Sequence, residues 1–554
     1  MRRAISSAGG GGGSTDADHS DGRRGSGRAA KWHTRRVPFG RATLSRVILH
    51  NGSVRTGDAR LPLARALAIA GDRIGGGVDV REGDRSTVSN ERVDLGGRCV
   101  VPGFTDAHVH FLEWALSLGR LDLSGTRSHA EVLAAAAGVA GAADGWLIGA
   151  GWRSARWPGG DPEPHREALD AACGDRPVLL WAHDHHTAWL SSAALALLPV
   201  GDAPVVERDG AGEPTGVLRE TAAWEAAAAI PPPGERELDE ALVLGLRAAH
   251  ARGVTGIHDF QRDWGLAAWQ RLHTDRRLSL RVWASLPAER IDEIIALGLR
   301  SGLGDDWLRI GPVKAFADGT LGSRTASMLE PFADAGRGEA LLSADELREL
   351  AARCADAGLE LAVHAIGDAA NRAVLDALET TRERWAPRRL RPRIEHAQLL
   401  HPDDLARFAA LGVTASMQPS HAPSDRSLAE AVWGARCAAA YALGSLSASG
   451  AALCFGSDAP IEPLDPLAGV QAAVTRDWPA SEALTVELAL DGFWSGAAHA
   501  RQAERRLGRL LPGFAADLVV LERDPVTCPP DEIAGIAVVA TMSGGRWVHG
   551  RPPW

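Results

Sequence analysis

The chain has 554 residues, of which 45% are hydrophobic and 23% charged, and it carries a net charge of −10 at pH 7. This composition is typical of an ordinary soluble globular protein, and the negative charge disfavours nucleic acid as a partner. Six scattered cysteines without a CxxC pair predict a reduced, cytoplasmic location and no thiolate metal site. Because no run of about 18 apolar residues occurs, we expect no association with a membrane.

The first segment, residues 1–40, is rich in glycine, serine and arginine, with a run of glycines from Gly9. A segment of this composition cannot bury a core, so we predict a disordered tail.

Short β-rich segments then occur at both ends of the remaining chain, in residues 41–100 and 505–554. Neither end has enough strands to be stable alone. We therefore predict that the two ends pair into one discontinuous β-sandwich.

The middle of the chain, residues 101–504, alternates short apolar runs with Ala- and Leu-rich helical stretches, the pattern of a parallel α/β fold. About 140 residues separate the first and third predicted strands, whereas one βα unit needs roughly 30. We therefore predict a (β/α)8 barrel with an inserted subdomain at roughly 115–250. The eight predicted strands end near His108, Ala182, His258, Phe316, His364, His396, Met417 and Asp458.

Lysine is almost absent from the sequence. Of the 60 basic residues only Lys31 and Lys314 are lysines, and the other 58 are arginines. A buried primary amine can lose its proton, whereas a guanidinium stays charged, so Lys314 indicates chemistry that arginine cannot perform. The alternative is chance, since an arginine-rich composition could leave one arbitrary lysine.

Histidines and an aspartate recur at the predicted strand ends. His108 and His110 alternate along one strand and so point to the same side, as two nitrogen ligands of one divalent ion would. Each motif alone has an ordinary explanation. His364 and His396 could be hydrogen-bonded core histidines, and Asp458 could cap a helix. The complete set, at the edge where a (β/α)8 barrel places its active site, is harder to explain as coincidence.

These motifs resemble the amidohydrolase superfamily, specifically the amidohydrolase-3 or YtcJ-like branch, which includes N-substituted formamide deformylases. The resemblance spans about residues 45–550. It rests on residues 101–110, 214–220, 314–326 and 511–521 and on the His364, His396 and Asp458 motifs.

The resemblance implies a metal-dependent TIM barrel. In such sites the residues matching His108, His110 and Asp458 hold one metal, those matching His364 and His396 hold the other, and a carboxylated lysine, here Lys314, bridges them. A free lysine, with a pKa of about 10.4, is almost wholly ammonium at neutral pH, but burial near cations favours the neutral amine that adds carbon dioxide. We expect one or two zinc ions, with manganese, iron or cobalt as alternatives.

The implied reaction is hydrolysis of a non-peptide amide-type carbon–nitrogen bond in a small molecule, with Asp458 as the catalytic proton carrier. Three further residues are candidates for contact with the substrate: His186, Trp114 and Arg324. The alternatives are a cyclic-amide hydrolase or deaminase of the same superfamily and a non-catalytic regulatory relative. A homodimer is left open.

Overall fold

The computed structural model describes residues 46–75, 90–140, 145–154, 157–159, 161–182, 187–198, 206–260 and 265–553. The predicted tail, residues 1–40, lies outside the described residues. None of the described helices is long and apolar enough to cross a membrane.

A parallel barrel forms the centre of the described chain. Its ends are joined where the Asp458 N–H donates to the His108 carbonyl at 2.7 Å and the His110 N–H donates to the Ala459 carbonyl at 2.9 Å. Among the described residues the barrel has eight strands, in spatial order Phe104–Val109, Val254–Asp259, Arg281–Pro287, Leu308–Phe316, Leu361–Ala365, Arg393–His396, Thr414–Met417 and Leu453–Phe455. The predicted fold class, a (β/α)8 barrel with additional β-sheets, is confirmed.

Helices cover the outer faces of these strands, which is why the strands read as apolar runs rather than as alternating ones. Ala344–Ala357 shows how the sequence sets helix ends: Ser343 and Glu346 form a reciprocal capping box, and Gly358 ends the helix with a left-handed φ of 73°. The other described barrel helices are Phe111–Leu118, Glu235–Ala251, Gly265–Thr274, Ile291–Ala296, Asp368–Thr380, Arg382–Trp385, Pro402–Leu411, His421–Trp433, Leu443–Ala448, Pro466–Val474, Val486–Asp491 and Ala497–Ala500.

A separate mixed sheet lies between the first and second barrel strands in sequence. In spatial order its described strands are Val206–Arg208, Pro214–Arg219, Thr187–Leu190, Val178–Ala182, Leu147–Trp152 and Leu121–Asp122. Its helices are His129–Ala140, Arg166–Cys173, Ser192–Leu197 and Glu220–Ala228.

One strand assignment from the sequence was wrong. The strand near Ala182 was predicted to be the second barrel strand, but Val178–Ala182 belongs to this inserted sheet. The second barrel strand is Val254–Asp259, and the third, Arg281–Pro287, was missed. Periodicity alone does not distinguish a short apolar strand of a barrel from one of a neighbouring sheet. The sequence therefore predicted the correct number of barrel strands, but one of the eight assigned strands belongs to the inserted sheet.

Two further sheets occur, of which one contains described strands of the N-terminal segment alone and the other combines strands from both ends of the chain. The strand Leu518–Leu521 pairs antiparallel with Cys99–Pro102, with Val520 opposite Val100. The described strands of these sheets are Arg73–Ile74, Leu67–Ala70, Arg46–His50 and Asn90–Asp94 in the first, and Arg546–His549, Val538–Ser543, Leu518–Leu521, Cys99–Pro102, Ser53–Arg55 and Leu63–Ala64 in the second. The domain boundaries at 41–100, 101–504 and 505–554 stay predictions.

A buried ion pair joins the C-terminal segment to the barrel. Arg281, the first residue of the third barrel strand, donates from Nε and Nη2 to the two carboxylate oxygens of Asp517 at 2.5 and 3.0 Å. Both side chains are at most a tenth exposed. Removing one partner of such a pair leaves the other charge buried without compensation.

We therefore expect Asp517→Asn to lower the free energy of unfolding by about 3 kcal/mol or more, as measured by urea denaturation. The matched control is Asp376→Asn, which breaks a surface pair with Arg407 whose carboxylate is 62% exposed. Its cost should stay below about 1 kcal/mol because solvent screens the pair. Equal losses of unfolding free energy in the two variants would show that the Arg281–Asp517 pair does not stabilise the contact between the C-terminal segment and the barrel.

Candidate metal centre

His108, His110 and Asp458 meet at the carboxyl end of the barrel. Asp458 Oδ1 lies 3.4 Å from His108 Nε2 and 3.5 Å from His110 Nε2. These distances are too long for good hydrogen bonds. They match the separation of roughly 3.4 Å between two ligands of a tetrahedral ion whose metal–ligand bonds are about 2.0–2.1 Å long. We call these three residues the His108 triad.

The backbone is shaped to bring the eighth strand against the first. Gly456 follows the eighth strand, and a Cβ there would lie 2.3 Å from the His108 main-chain nitrogen, so only glycine fits. Asp458 then has a φ of 59°, in the left-handed region that non-glycine residues rarely adopt. Such conformations concentrate at functional sites, where the surrounding structure holds them.

His108 is oriented by a buried carboxylate. Its Nδ1 lies 2.6 Å from Glu395 Oε2, and Glu395 is itself held by Arg393 Nη2 at 2.8 Å. With Nδ1–H donating to Glu395, the lone pair of His108 Nε2 faces Asp458. That nitrogen is buried and has no hydrogen-bond partner among the described residues. A carboxylate behind an imidazole is the usual support of a metal-binding histidine, so the donor set fits a divalent cation.

The electrostatics of the site favour neutral imidazoles and an ionised carboxylate. Burial, followed by the charge of Lys314, lowers the pKa of His108 to about 4 and that of His364 to about 3. Burial would raise the pKa of Asp458, but the neighbouring rings of His108, His110 and His421 outweigh it and hold that pKa well below its usual range. At neutral pH the nitrogen lone pairs and the carboxylate charge are therefore both available to a cation.

Lys314 lies on the fourth barrel strand and is 5% exposed. Its Nζ is 4.7 Å from the ring centroid of Phe260 and 4.8 Å from that of Phe316. Its charge contributes to the lowered pKa values of His108, His364 and His396. The structure thus places this amine beside the histidines, as the sequence predicted for its position.

His364 and His396, from the fifth and sixth strands, are neighbours, with ring centroids 4.5 Å apart. His364 Nε2 lies 3.0 Å from the Gly319 carbonyl, to which it can donate. His396 Nδ1 lies 2.8 Å from Gln418 Oε1, and its backbone has a φ of 74°. Within the described residues His396 belongs to a cluster of potential ligands, and His364 does not.

That cluster contains a histidine that the sequence analysis missed. The potential ligand atoms of His396, His421 and Asp458 all lie within 4.8 Å of one another. His421 follows the seventh strand, in Gln418-Pro419-Ser420-His421. A search for every polar residue just beyond a barrel strand would have found it, since that edge carries the site in this fold. We call these three residues the His396 triad.

Glu395 and Arg393 were also missed as site residues. Both are fully buried charged residues within a four-residue strand that is otherwise closed to solvent. Charged residues are almost never fully buried unless they are paired, so Arg393-Ile394-Glu395-His396 carried a readable signal.

The three predicted substrate contacts have different surroundings. Trp114 lies on helix Phe111–Leu118, inside an apolar cluster, 5.2 Å from the ring of Phe111. Arg324 lies in a turn after the fourth strand and forms an ion pair with Asp334 at 3.0 Å. His186 lies outside the described residues. Their contact with substrate stays a prediction.

A cavity of about 640 Å³ opens beside His364. Its apolar wall includes Phe316, Leu341 and Leu350, and Arg353 stands among its charged residues. Its size is that of a typical small-molecule site.

Comparisons with known proteins agree with this geometry. A model described as the amidohydrolase family matches residues 91–549. The Bacillus subtilis protein YtcJ is 31% identical over 83% of this chain and 90% of its own length. An N-substituted formamide deformylase of Arthrobacter pascens is 28% identical over 90% of this chain and 97% of its own. The crystal structure of a metal-dependent hydrolase of Pyrococcus furiosus, 32% identical, superposes with a TM-score of 0.77 over 87% of this chain and all of that one.

Proposed function

Because this chain belongs to the amidohydrolase family, we propose that it is a metal-dependent hydrolase that cleaves an amide-type carbon–nitrogen bond in an N-substituted amide or formamide. The observation that supports this most directly is the approach of His108 Nε2 and His110 Nε2 to one oxygen of Asp458, at 3.4 and 3.5 Å. The Arthrobacter pascens relative, an N-substituted formamide deformylase, supports the substrate class.

We propose that zinc is the native metal and that its ligands are His108, His110, Lys314, His364, His396 and Asp458. Lys314 would contribute as a carbamate, formed when its neutral amine adds carbon dioxide. The burial of Lys314 among neutral histidines supports this, because an ammonium there would repel a divalent cation. A carbamate reverses that charge and offers two oxygens.

Bound divalent cations would supply the Lewis acidity that polarises a carbonyl and acidifies water. Asp458 would accept the proton that water loses as its oxygen bonds to the carbonyl carbon, and would give that proton to the nitrogen as the carbon–nitrogen bond breaks. Its lowered pKa keeps the carboxylate ionised at neutral pH. Glu395 would hold the His108 ring in place through Nδ1–H.

The cavity beside His364 would receive the substituent on the nitrogen. Its wall of Phe316, Leu341 and Leu350 suits an alkyl or aromatic group. The buried side chains of His108, Lys314 and His364 would keep bulk water from the reacting carbonyl.

We expect protein reconstituted with zinc or cobalt to hydrolyse N-benzylformamide and N-alkyl formamides in a panel that also contains acetamides, cyclic imides and ureas. Treatment with a chelator should abolish turnover, and Asp458→Asn should remain folded and inactive. Release of the amine is the measured quantity. Full activity in protein shown to be free of metal, or turnover confined to phosphoesters or amino-purines, would contradict the proposal.

Lys314→Arg should remove one equivalent of bound metal and slow turnover by more than about 100-fold. Loss of a group that only supports a metal ligand typically costs about 10- to 100-fold, so a larger effect is expected for a ligand itself. The guanidinium keeps the positive charge but cannot form the carbamate anion. Metal analysis and rates on the same preparation provide the measurement, with Lys31→Arg as the matched control because it replaces the only other lysine. A variant Lys314→Arg that is active and holds the wild-type metal content would rule out the carbamate.

A further inference from the structure

The second oxygen of Asp458 faces a histidine outside the six-residue ligand set. His421 Nε2 lies 3.7 Å from Asp458 Oδ2, whereas His108 and His110 approach the other carboxylate oxygen, Oδ1. We propose that His421 is a metal ligand, and that it forms the second cation position together with His396 and Asp458. This inference rests on the proposed metal dependence.

Crossed glutamines hold the two imidazoles of the His396 triad. Gln418, three residues before His421, lies 2.8 Å from His396 Nδ1, and Gln398, two residues after His396, lies 3.2 Å from His421 Nδ1. The rings are nearly parallel, with an interplanar angle of 11° and centroids 6.1 Å apart. A glutamine side chain thus contacts each histidine at Nδ1, and Nε2 of His421 faces Asp458. Nδ1–H donation to the Gln418 oxygen, as at His396, is the usual support of a metal-binding histidine.

The orientation of the Gln398 amide decides which nitrogen of His421 carries the lone pair. Its Oε1 is buried and has no hydrogen-bond partner among the described residues, while its amide nitrogen faces His421 Nδ1. Rotating this amide by 180° would place Oε1 against Nδ1–H and satisfy the oxygen. Nε2 of His421 would then carry the lone pair.

A direct hydrogen bond to Asp458 does not account for the position of His421. At 3.7 Å the Nε2–Oδ2 separation is beyond hydrogen-bond range, and Nε2 is buried with no hydrogen-bond partner among the described residues. The separation resembles those of 3.4 and 3.5 Å in the His108 triad. A cation shared by nitrogen and carboxylate oxygen explains all three.

His364 presents a different environment. Its Nε2 is engaged with the Gly319 carbonyl, and its side chain lines the cavity. His421 has its Nε2 available, whereas His364 would have to offer Nδ1 or exchange its main-chain partner. The described residues therefore add His421, at the start of the helix after the seventh strand, to the proposed ligands of the second position.

The test is metal stoichiometry. Chelator-treated protein is titrated with Co²⁺ and followed by elemental analysis and by the visible absorption of the bound ion. Wild-type protein should bind two equivalents, and His421→Ala and His421→Phe should bind one, with loss of the absorption of the second ion. The phenylalanine variant keeps a ring beside His396, so it separates loss of the nitrogen from loss of packing, and circular dichroism checks folding.

The matched control is His401→Ala, which removes a partly exposed histidine at the start of helix Pro402–Leu411 and should still bind two equivalents. If both His421 variants fold and keep the metal content and spectrum of the wild type, the inference is overturned while metal dependence stands. A wild-type protein that binds no divalent ion would overturn the proposed function as well.

Discussion

The carboxylate of Asp458 is the group on which the rest of the site depends. Oδ1 faces His108 and His110, and Oδ2 faces His421, so one side chain is shared between two groups of imidazoles. Its left-handed backbone is fixed by the hydrogen bond from its N–H to the His108 carbonyl, which also joins the ends of the barrel. The same hydrogen bond therefore closes the barrel and positions the Asp458 carboxylate.

A layer of buried polar groups supports this carboxylate from within the barrel. Asp106 accepts hydrogen bonds from the His108 and Ser457 N–H groups and so ties the first strand to the turn that carries Asp458. Burial raises the pKa of Asp106 to about 7. Beneath His108, Glu395 and Arg393 compensate each other's charge without access to solvent. Such groups are costly to bury unless each has a partner, so this layer serves orientation more than stability.

The neutral histidines and the single amine pose one electrostatic problem that a metal would resolve. Burial and the nearby lysine keep the imidazoles unprotonated, which costs the fold free energy at acidic pH, since the unfolded chain binds those protons more readily. For His108 the loss of stability grows as the pH decreases from about 6.5 to about 4. Bound cations would use the lone pairs that this arrangement preserves, and a carbamate on Lys314 would turn the one repulsive charge into an attractive one.

The sequence predicted the class of fold and the position of the site because both depend on local patterns. Short apolar runs ending in His, Lys or Asp mark the edge where a barrel places its chemistry, and the structure brings His108, His110 and Asp458 together there. The third strand was missed because Arg281–Pro287 carries neither histidine nor lysine at its end. His421 was missed because it starts a helix rather than ending a strand. Its position just beyond the seventh strand marked it as a candidate, but its approach to Asp458 depends on tertiary contacts. For Glu395 and Arg393 the sequence signals buried, paired charges, but only the structure identifies His108 as the partner of Glu395.

The central claim, that Asp458 is shared between cation positions, is tested most directly by anomalous diffraction from zinc-loaded crystals at the zinc absorption edge. The account predicts anomalous density on both sides of the Asp458 carboxylate, one peak beside Nε2 of His108 and His110 and the other beside Nε2 of His396. Well-diffracting crystals of zinc-loaded protein without anomalous density at Asp458 would contradict it.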